Sequence, residues 1–193
     1  PLAALDVATR ASVRAELRAF LEEVALPTVL VTHDPVDALV LGAVIVVLED
    51  GRVTQAGPRE TLLAAPRSGF VAGLTGRNLL RARLREGAGM RVAEAGEVSF
   101  HVLTESHTGE VLLSFLPQDV ALTASHPEGS AQNVFRAGVR EVVTLLDRVR
   151  VRLDVHGETV LADITPASRE SLAVEPGADL WISIKATAIQ VVP

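Results

Sequence analysis

Two stretches of this chain put residues able to handle a phosphate or another tetrahedral anion at the ends of strands. The first is Pro27-Thr-Val-Leu-Val-Thr-His-Asp34, in which five β-favouring residues, Thr28 to Thr32, deliver His33 to a strand end. Asp34 caps a helix well and Pro35 suits the first helical position, so the spacing predicts strand, histidine, helix. Open α/β sheets carry their chemistry at such carboxyl ends, where an imidazole can hydrogen-bond a phosphate or a polarised water. A structural histidine is the plainer alternative. The second stretch is the tail, where Ser130-Ala-Gln-Asn133, Ile164-Thr-Pro-Ala-Ser168 and Ile184-Lys-Ala-Thr-Ala188 follow in order. Thr165 is a natural N-cap and Ser168 the third helical residue, and a helix start offers free N–H groups and a positive dipole end. Two hydroxyls and the Lys185 ammonium suit a tetrahedral oxyanion. From spacing alone, simple capping and a solvated lysine are the commoner arrangement.

These residues need elements to carry them. Val7 to Val24 reads as an amphipathic helix, with Val13, Leu17, Phe20, Leu21 and Val24 on one stripe. A helix from Pro35 to about Leu41 stops at Gly42. Ala43 to Leu48 reads as a strand buried on both faces, Asp50-Gly51 as a hairpin turn, and Gly57-Pro58 as the opening of a short helix. After Gly76 the texture changes to short strands near 79–84, 90–93, 97–103 and 110–116, the pattern of a small β barrel or sandwich. Ser125 to Ser130 is a polar linker. Beyond it, Val149, Val151, Leu153 and Val155 alternate with Arg148, Arg150, Arg152 and Asp154, so the arginine row reads as a solvated outer face. Between the two β segments only a weak internal pairing is visible.

Composition narrows the function classes. In 193 residues, 48% hydrophobic content can fill one or two cores. The absence of cysteine excludes disulfides and thiolate metal sites, and no histidine grouping has metal-ligand spacing. A formal charge of −6 disfavours a general nucleic-acid or anionic-membrane binder, and five Phe, one Trp and no Tyr disfavour a base-stacking platform. The longest apolar run, Ala38 to Leu48, is too short to span a bilayer.

Pro1-Leu-Ala-Ala-Leu-Asp6, the His33 strand, Asp34-Pro-Val-Asp-Ala-Leu39 and Val46-Val-Leu-Glu-Asp-Gly-Arg-Val-Thr-Gln-Ala-Gly57 resemble, in order and spacing, the last third of the ATP-binding subunit of an ABC transporter. The resemblance runs to about Arg77. It implies that residues 1–6 are the D-loop, with Asp6 at the ATP-dimer interface, and that His33 is the switch histidine contacting the γ-phosphate. No Gly-x-x-x-x-Gly-Lys-Ser/Thr and no signature motif occurs, and the catalytic glutamate would precede Pro1. The chain is therefore expected to be a truncated C-terminal fragment, inactive alone as an ATPase.

The tail motifs resemble the Mop or TOBE module found at the end of molybdate importer ATPases. That resemblance implies molybdate or tungstate binding between packed copies by Ser130, Gln132, Thr165, Ser168, Lys185 and the backbone around Ala186. The family usually shows Ser-Ala-Arg-Asn, and here Gln132 stands at the arginine position, which removes a charge and should lower affinity.

The expected fold is α/β followed by all-β: the C-terminal part of a truncated P-loop ATPase domain at 1–76, then a β-rich region at 77–193. Within that region, 130–193 is the OB-like, Mop-like oxyanion module. The implied whole is the ATP-hydrolysing subunit of an ABC importer, most like the molybdate type. It would need ATP and Mg²⁺, pair with a second copy of itself, and drive a membrane permease from the cytoplasmic face. Importers of sulfate, iron, polyamine or sugar, and a free oxyanion-binding protein, are the alternatives.

Overall fold

The computed structural model describes residues 6–87, 89–105 and 108–193. Most of the segment read as a D-loop, residues 1–5, and also His107, lie outside the described residues. The chain forms two compact units, Pro1–Ala64 and Ala65–Pro193. Their boundary precedes Gly76 because the intervening helix buries Val71 and Ala72 and packs on the first strand of the second unit.

In the first unit, Asp6 opens α1 (Val7–Val24) by accepting the Thr9 N–H at 3.0 Å and the Thr9 hydroxyl at 2.6 Å. Asp34 caps α2 (Pro35–Leu41), its Oδ1 accepting the Val36 N–H at 2.8 Å. A hairpin follows, β1 (Val44–Glu49) and β2 (Arg52–Pro58), turning at Asp50 and Gly51 with φ of 50° and 73°. The short helix α3 (Arg59–Ala64) then buries Leu62. Two expectations are corrected here. Thr28 to Thr32 is not a strand: Val29 is 91% and Val31 88% exposed, and no described strand pairs with them. Extended preference alone makes no strand without a ladder partner. Likewise β1 is not buried on both faces, since Val44, Val46 and Leu48 are exposed and Val47 alone is buried.

The second unit begins with α4 (Gly69–Thr75), capped by Ser68 and closed by Gly76 in the left-handed region at φ 64°. Then come β3 (Asn78–Leu84), β4 (Met90–Ala95), β5 (Val98–Leu103), β6 (Gly109–Phe115), a 3-10 turn at Pro117–Asp119 and β7 (Val120–Thr123). The second series is β8 (Asn133–Thr144), β9 (Val149–Val155), β10 (Glu158–Ile164), α5 (Pro166–Ser171), β11 (Asp179–Ile184), a 3-10 turn at Ala186–Ala188 and β12 (Gln190–Val192). One sheet has the order β12-β6-β3-β4-β5 and the other β7-β11-β8-β9-β10. The two orders match strand for strand, with each half lending its last strand to the other half's sheet. The exchange is in register: Ala121 stands opposite Ser183, and Gln190 opposite Ser114. An internal duplication that the sequence showed only weakly is thus plain in the pairing.

Alternation supplies the core. Val149, Val151, Leu153 and Val155 are 0–1% exposed, as their spacing predicted, and pack with Phe100, Phe115, Leu113, Ile182 and Ile184 from both sheets. The outward arginines pair with carboxylates, Arg150 with Asp163 at 2.8 Å and Arg152 with Glu141 at 3.1 Å.

Candidate oxyanion corners and the His33 loop

Each half of the β unit starts with a buried asparagine that clamps the other half. Asn133, fully buried, accepts the His101 N–H through Oδ1 at 2.6 Å and donates through Nδ2 to His101 O at 3.0 Å and Ile184 O at 3.2 Å. Asn78 does the same to Leu161, accepting its N–H at 2.7 Å and donating to its carbonyl at 2.9 Å. Both asparagines satisfy backbone groups on edge strands that have no neighbour on that side.

These clamps define two equivalent corners. At the first, Ile184 faces Asn133 in the ladder, so the residues just outside, Ser130 to Gln132 and Lys185 to Ala186, share one end of the sheet. Ser130, Gln132 and Lys185 are exposed, and Lys185 precedes the 3-10 turn, which packs on β5. Thr165 and Ser168 are elsewhere. Ile164 faces Val149, which faces Thr144, so α5 starts at the far end of β8. Eleven residues separate Asn133 from Thr144 along that strand, about 36 Å at ~3.3 Å per residue. Within one half, then, Ser130 and Lys185 stand at one end of β8 and Thr165 and Ser168 at the other, and the resemblance placed their meeting between packed copies.

Thr165 and Ser168 follow β10, the strand that the second clamp holds. Thr165 Oγ1 accepts the Ser168 N–H at 3.1 Å and lies 2.9 Å from Ser168 Oγ, the capping arrangement expected from sequence. Four residues upstream of Thr165, β10 carries the Leu161 clamp from Asn78, and β10 also packs on the 3-10 turn Pro117–Asp119. Gly76 lies near a side chain of the neighbouring β9: a Cβ there would lie 3.4 Å from the Arg150 guanidinium, which grips Asp163 of β10. Sequence reasoning missed Arg77 at this corner. Its guanidinium donates to Ser114 Oγ at 2.7 Å; burial pushes its pKa down from the ordinary value, and Asp119 opposes that shift. The signal was present: Asn78-Leu-Leu-Arg-Ala82 repeats as Asn133-Val-Phe-Arg-Ala137. In that alignment Arg77 stands where the second half has Gln132, and Leu116 where it has Lys185.

In the first unit His33 is exposed on a bend before Asp34. Its neighbours are held: the Asp34 N–H donates to Thr32 Oγ1 at 3.0 Å, and the Thr32 hydroxyl to Asp37 Oδ2 at 3.3 Å. Arg14 of α1 spans Asp34, at 2.7 Å from Nη2, and Asp37, through Nε. Asp6 is exposed at the start of α1.

The strand-exchanged β unit with these two corners defines a class. Residues 129–191 match the TOBE domain family. Along nearly all of its length the chain is similar to the ATP-binding subunits of molybdate and tungstate importers. It is 34% identical to the molybdenum import ATP-binding protein ModC of Mycobacterium tuberculosis over 100% of this chain and 53% of that protein. It is 31% identical to the molybdate/tungstate import ATP-binding protein WtpC of Pyrococcus abyssi over 99% of this chain and 54% of that protein. The chain thus spans about half the length of the curated relatives it matches. The cytoplasmic molybdate-binding protein ModG, solved with molybdate bound, shares the β fold at TM-score 0.54 and 21% identity, over 60% of this chain and 96% of its own. No helix among the described residues is long and apolar enough to cross a membrane.

Proposed function

We propose that the chain is the C-terminal part of the ATP-hydrolysing subunit of an ABC importer for molybdate or a related oxyanion. The observation that carries this reading is the similarity to ModC, which extends from the His33 unit through the TOBE domain. Residues 1–64 then complete a P-loop domain whose phosphate-binding half lies outside this sequence. ATP and Mg²⁺ bind between two copies, Asp6 faces the partner copy, and His33 contacts the γ-phosphate. Phosphoryl transfer to water depends on such positioning more than on covalent chemistry. The subunit works on the cytoplasmic face, attached through a membrane permease.

The β unit binds the oxyanion at its corners. Ser130, Gln132, Lys185 and the Ala186 backbone serve the first; Thr165 and Ser168, joined by Arg77, serve the second. Both are donor-rich, which suits an anion that is doubly charged and unprotonated near neutral pH. Titration calorimetry of the chain with molybdate, tungstate, sulfate and phosphate tests this. Heat with the two metallates is expected, and heat with none of the four overturns it. The chain alone should not hydrolyse ATP, and in the intact subunit His33→Ala should abolish most turnover while nucleotide still binds.

A second reading, a free oxyanion-binding protein, rests on the likeness to ModG, nearly all of which is covered. ATP-dependent turnover by the intact subunit separates the two readings.

A further inference from the structure

The segment from Ala25 to His33 has no regular secondary structure, and Leu26 to Val31 is exposed throughout. Nothing in that run fixes the approach to His33. What fixes it is a closed ring of hydrogen bonds immediately around it. Thr32 Oγ1 accepts from the Asp34 N–H and donates to Asp37 Oδ2. Asp34 Oδ1 accepts the N–H groups of Val36 at 2.8 Å and Asp37 at 3.4 Å. The remaining oxygens, Asp34 Oδ2 and Asp37 Oδ1, both take the guanidinium of Arg14, reached from α1 across 20 and 23 residues of sequence. The Arg14 side chain is 12% exposed and that of Asp37 10%, so the ring is largely shielded from water. His33 itself is exposed at this loop.

We propose that Arg14 is the positioning residue for His33: it bridges the two carboxylates of α2 and thereby fixes where the histidine stands. A guanidinium addresses two carboxylates with N–H groups held in a fixed planar fork; an ammonium has donors enough but no such pre-set geometry and a shorter reach. Without Arg14, two partly buried carboxylates repel each other within one helical turn, and the charge left uncompensated favours opening of the α2 start. Thr32 then loses its hold through Asp37, and His33 moves with it. The proposal rests on His33 acting on the γ-phosphate, so its test has one arm that ignores ATP.

In the chain itself, amide exchange and the imidazole resonances of His33 are followed by NMR in Arg14→Gln, Arg14→Lys and Asp37→Asn. Arg14→Gln should raise exchange at His33 to Val36 by roughly tenfold or more, the scale expected for one lost charge-assisted contact. The amides of β9 and β10 should keep their rates, which shows that the fold persists. Arg14→Lys should recover part of the loss. Asp37→Asn, which keeps the shape and an acceptor, should loosen the loop less than Arg14→Gln and so serves if α1 frays in that variant. Unchanged exchange in Arg14→Gln and Asp37→Asn overturns the proposal.

In the intact subunit, Arg14→Gln should lower kcat while leaving KM for MgATP nearly unchanged. The double variant with His33→Ala should be no worse than His33→Ala alone. A normal kcat in Arg14→Gln, with His33→Ala inactive, overturns the positioning role. Full activity in His33→Ala together with a loosened loop in Arg14→Gln removes instead the reading of His33 and leaves the ring intact.

Discussion

Residues 78–123 and 133–192 lay down the same five strands in the same order, each half ending in a strand that completes the other's sheet. They differ at their edges. β3 has seven residues and β8 twelve, because a bulge between Val139 and Glu141 lets β8 run on with β9 past its partner β11. Between β10 and β11 the second half inserts α5, whereas among the described residues no helix lies between β5 and β6. The exchange of last strands makes the halves interdependent, and the differences distribute chemistry between the corners. One carries Lys185 with Gln132, the other Arg77 with the Thr165–Ser168 pair. A duplicated frame has kept its clamps and divided its charges.

The clamps give the largest expected effect. Asn133→Ala removes three hydrogen bonds at a fully buried site and strands one N–H and two carbonyls. A cost of about 3 kcal/mol or more follows, since each unsatisfied buried group costs roughly 1–3 kcal/mol and some regain water. Asn78→Ala removes two bonds and should cost about 2 kcal/mol on the same scale. Urea unfolding measures both. Equal, small losses would mean that the clamps are incidental to the pairing of the halves.

Much of this frame was legible beforehand. Alternation alone located the inward face of β9, Asp50-Gly51 the hairpin turn, Thr165-Pro166 the start of α5, and Asp34-Pro35 the start of α2. Such signals are local: they depend on side-chain period, φ preference and capping. What stayed hidden was the outcome of long-range pairing. Nothing within Thr28 to Thr32 reveals whether a neighbouring strand exists. Nothing in Thr165 or Lys185 reveals that a twelve-residue strand keeps them apart. The duplication was the one long-range feature with a readable trace, in Asn-x-x-Arg-Ala at 78 and 133. The seven-residue β3 against the twelve-residue β8, and the insertion of α5 between β10 and β11, broke its spacing.

The corners come next in size. Lys185→Ala should weaken metallate binding at the first corner about tenfold or more, one charge-assisted hydrogen bond being worth about 1.5–3 kcal/mol. Arg77→Gln should do the same at the second corner and leave the first untouched. Calorimetry that resolves two sites in the parent and one in each variant would sharpen the comparison; a loss of all binding in either variant would break it, by showing one shared site. Gln132→Arg, which copies into the second half the residue the first half has at Arg77, should tighten the first corner by a smaller factor. An added guanidinium gains charge there but must give up side-chain freedom to use it.

The smallest effect concerns the hairpins. In the second half, Asp154 ends the outward row of β9. Its Oδ1 accepts the Gly157 N–H at 3.0 Å across the turn, and its Oδ2 takes Arg140, the residue at the β8 bulge, at 2.9 Å. The backbone hydrogen bond from Gly157, then the one from Arg140, hold this carboxyl below its ordinary value of 3.8. A depressed carboxyl contributes its stability above the unfolded-state pKa and loses it as pH falls through the folded value. The β9–β10 turn should therefore hold near neutrality and loosen only below about pH 3.8. The site is open to solvent, so the change belongs to the turn rather than to global stability. Amide exchange at Gly157 followed from pH 6 to 3, corrected for intrinsic rates, reads it directly. Asp154→Asn should give the loosened behaviour at every pH. If Gly157 exchanges alike in both proteins across the range, the carboxylate does not hold the turn. The bulge at Arg140 would then be an irregularity of β8 with no part in closing the longer hairpin.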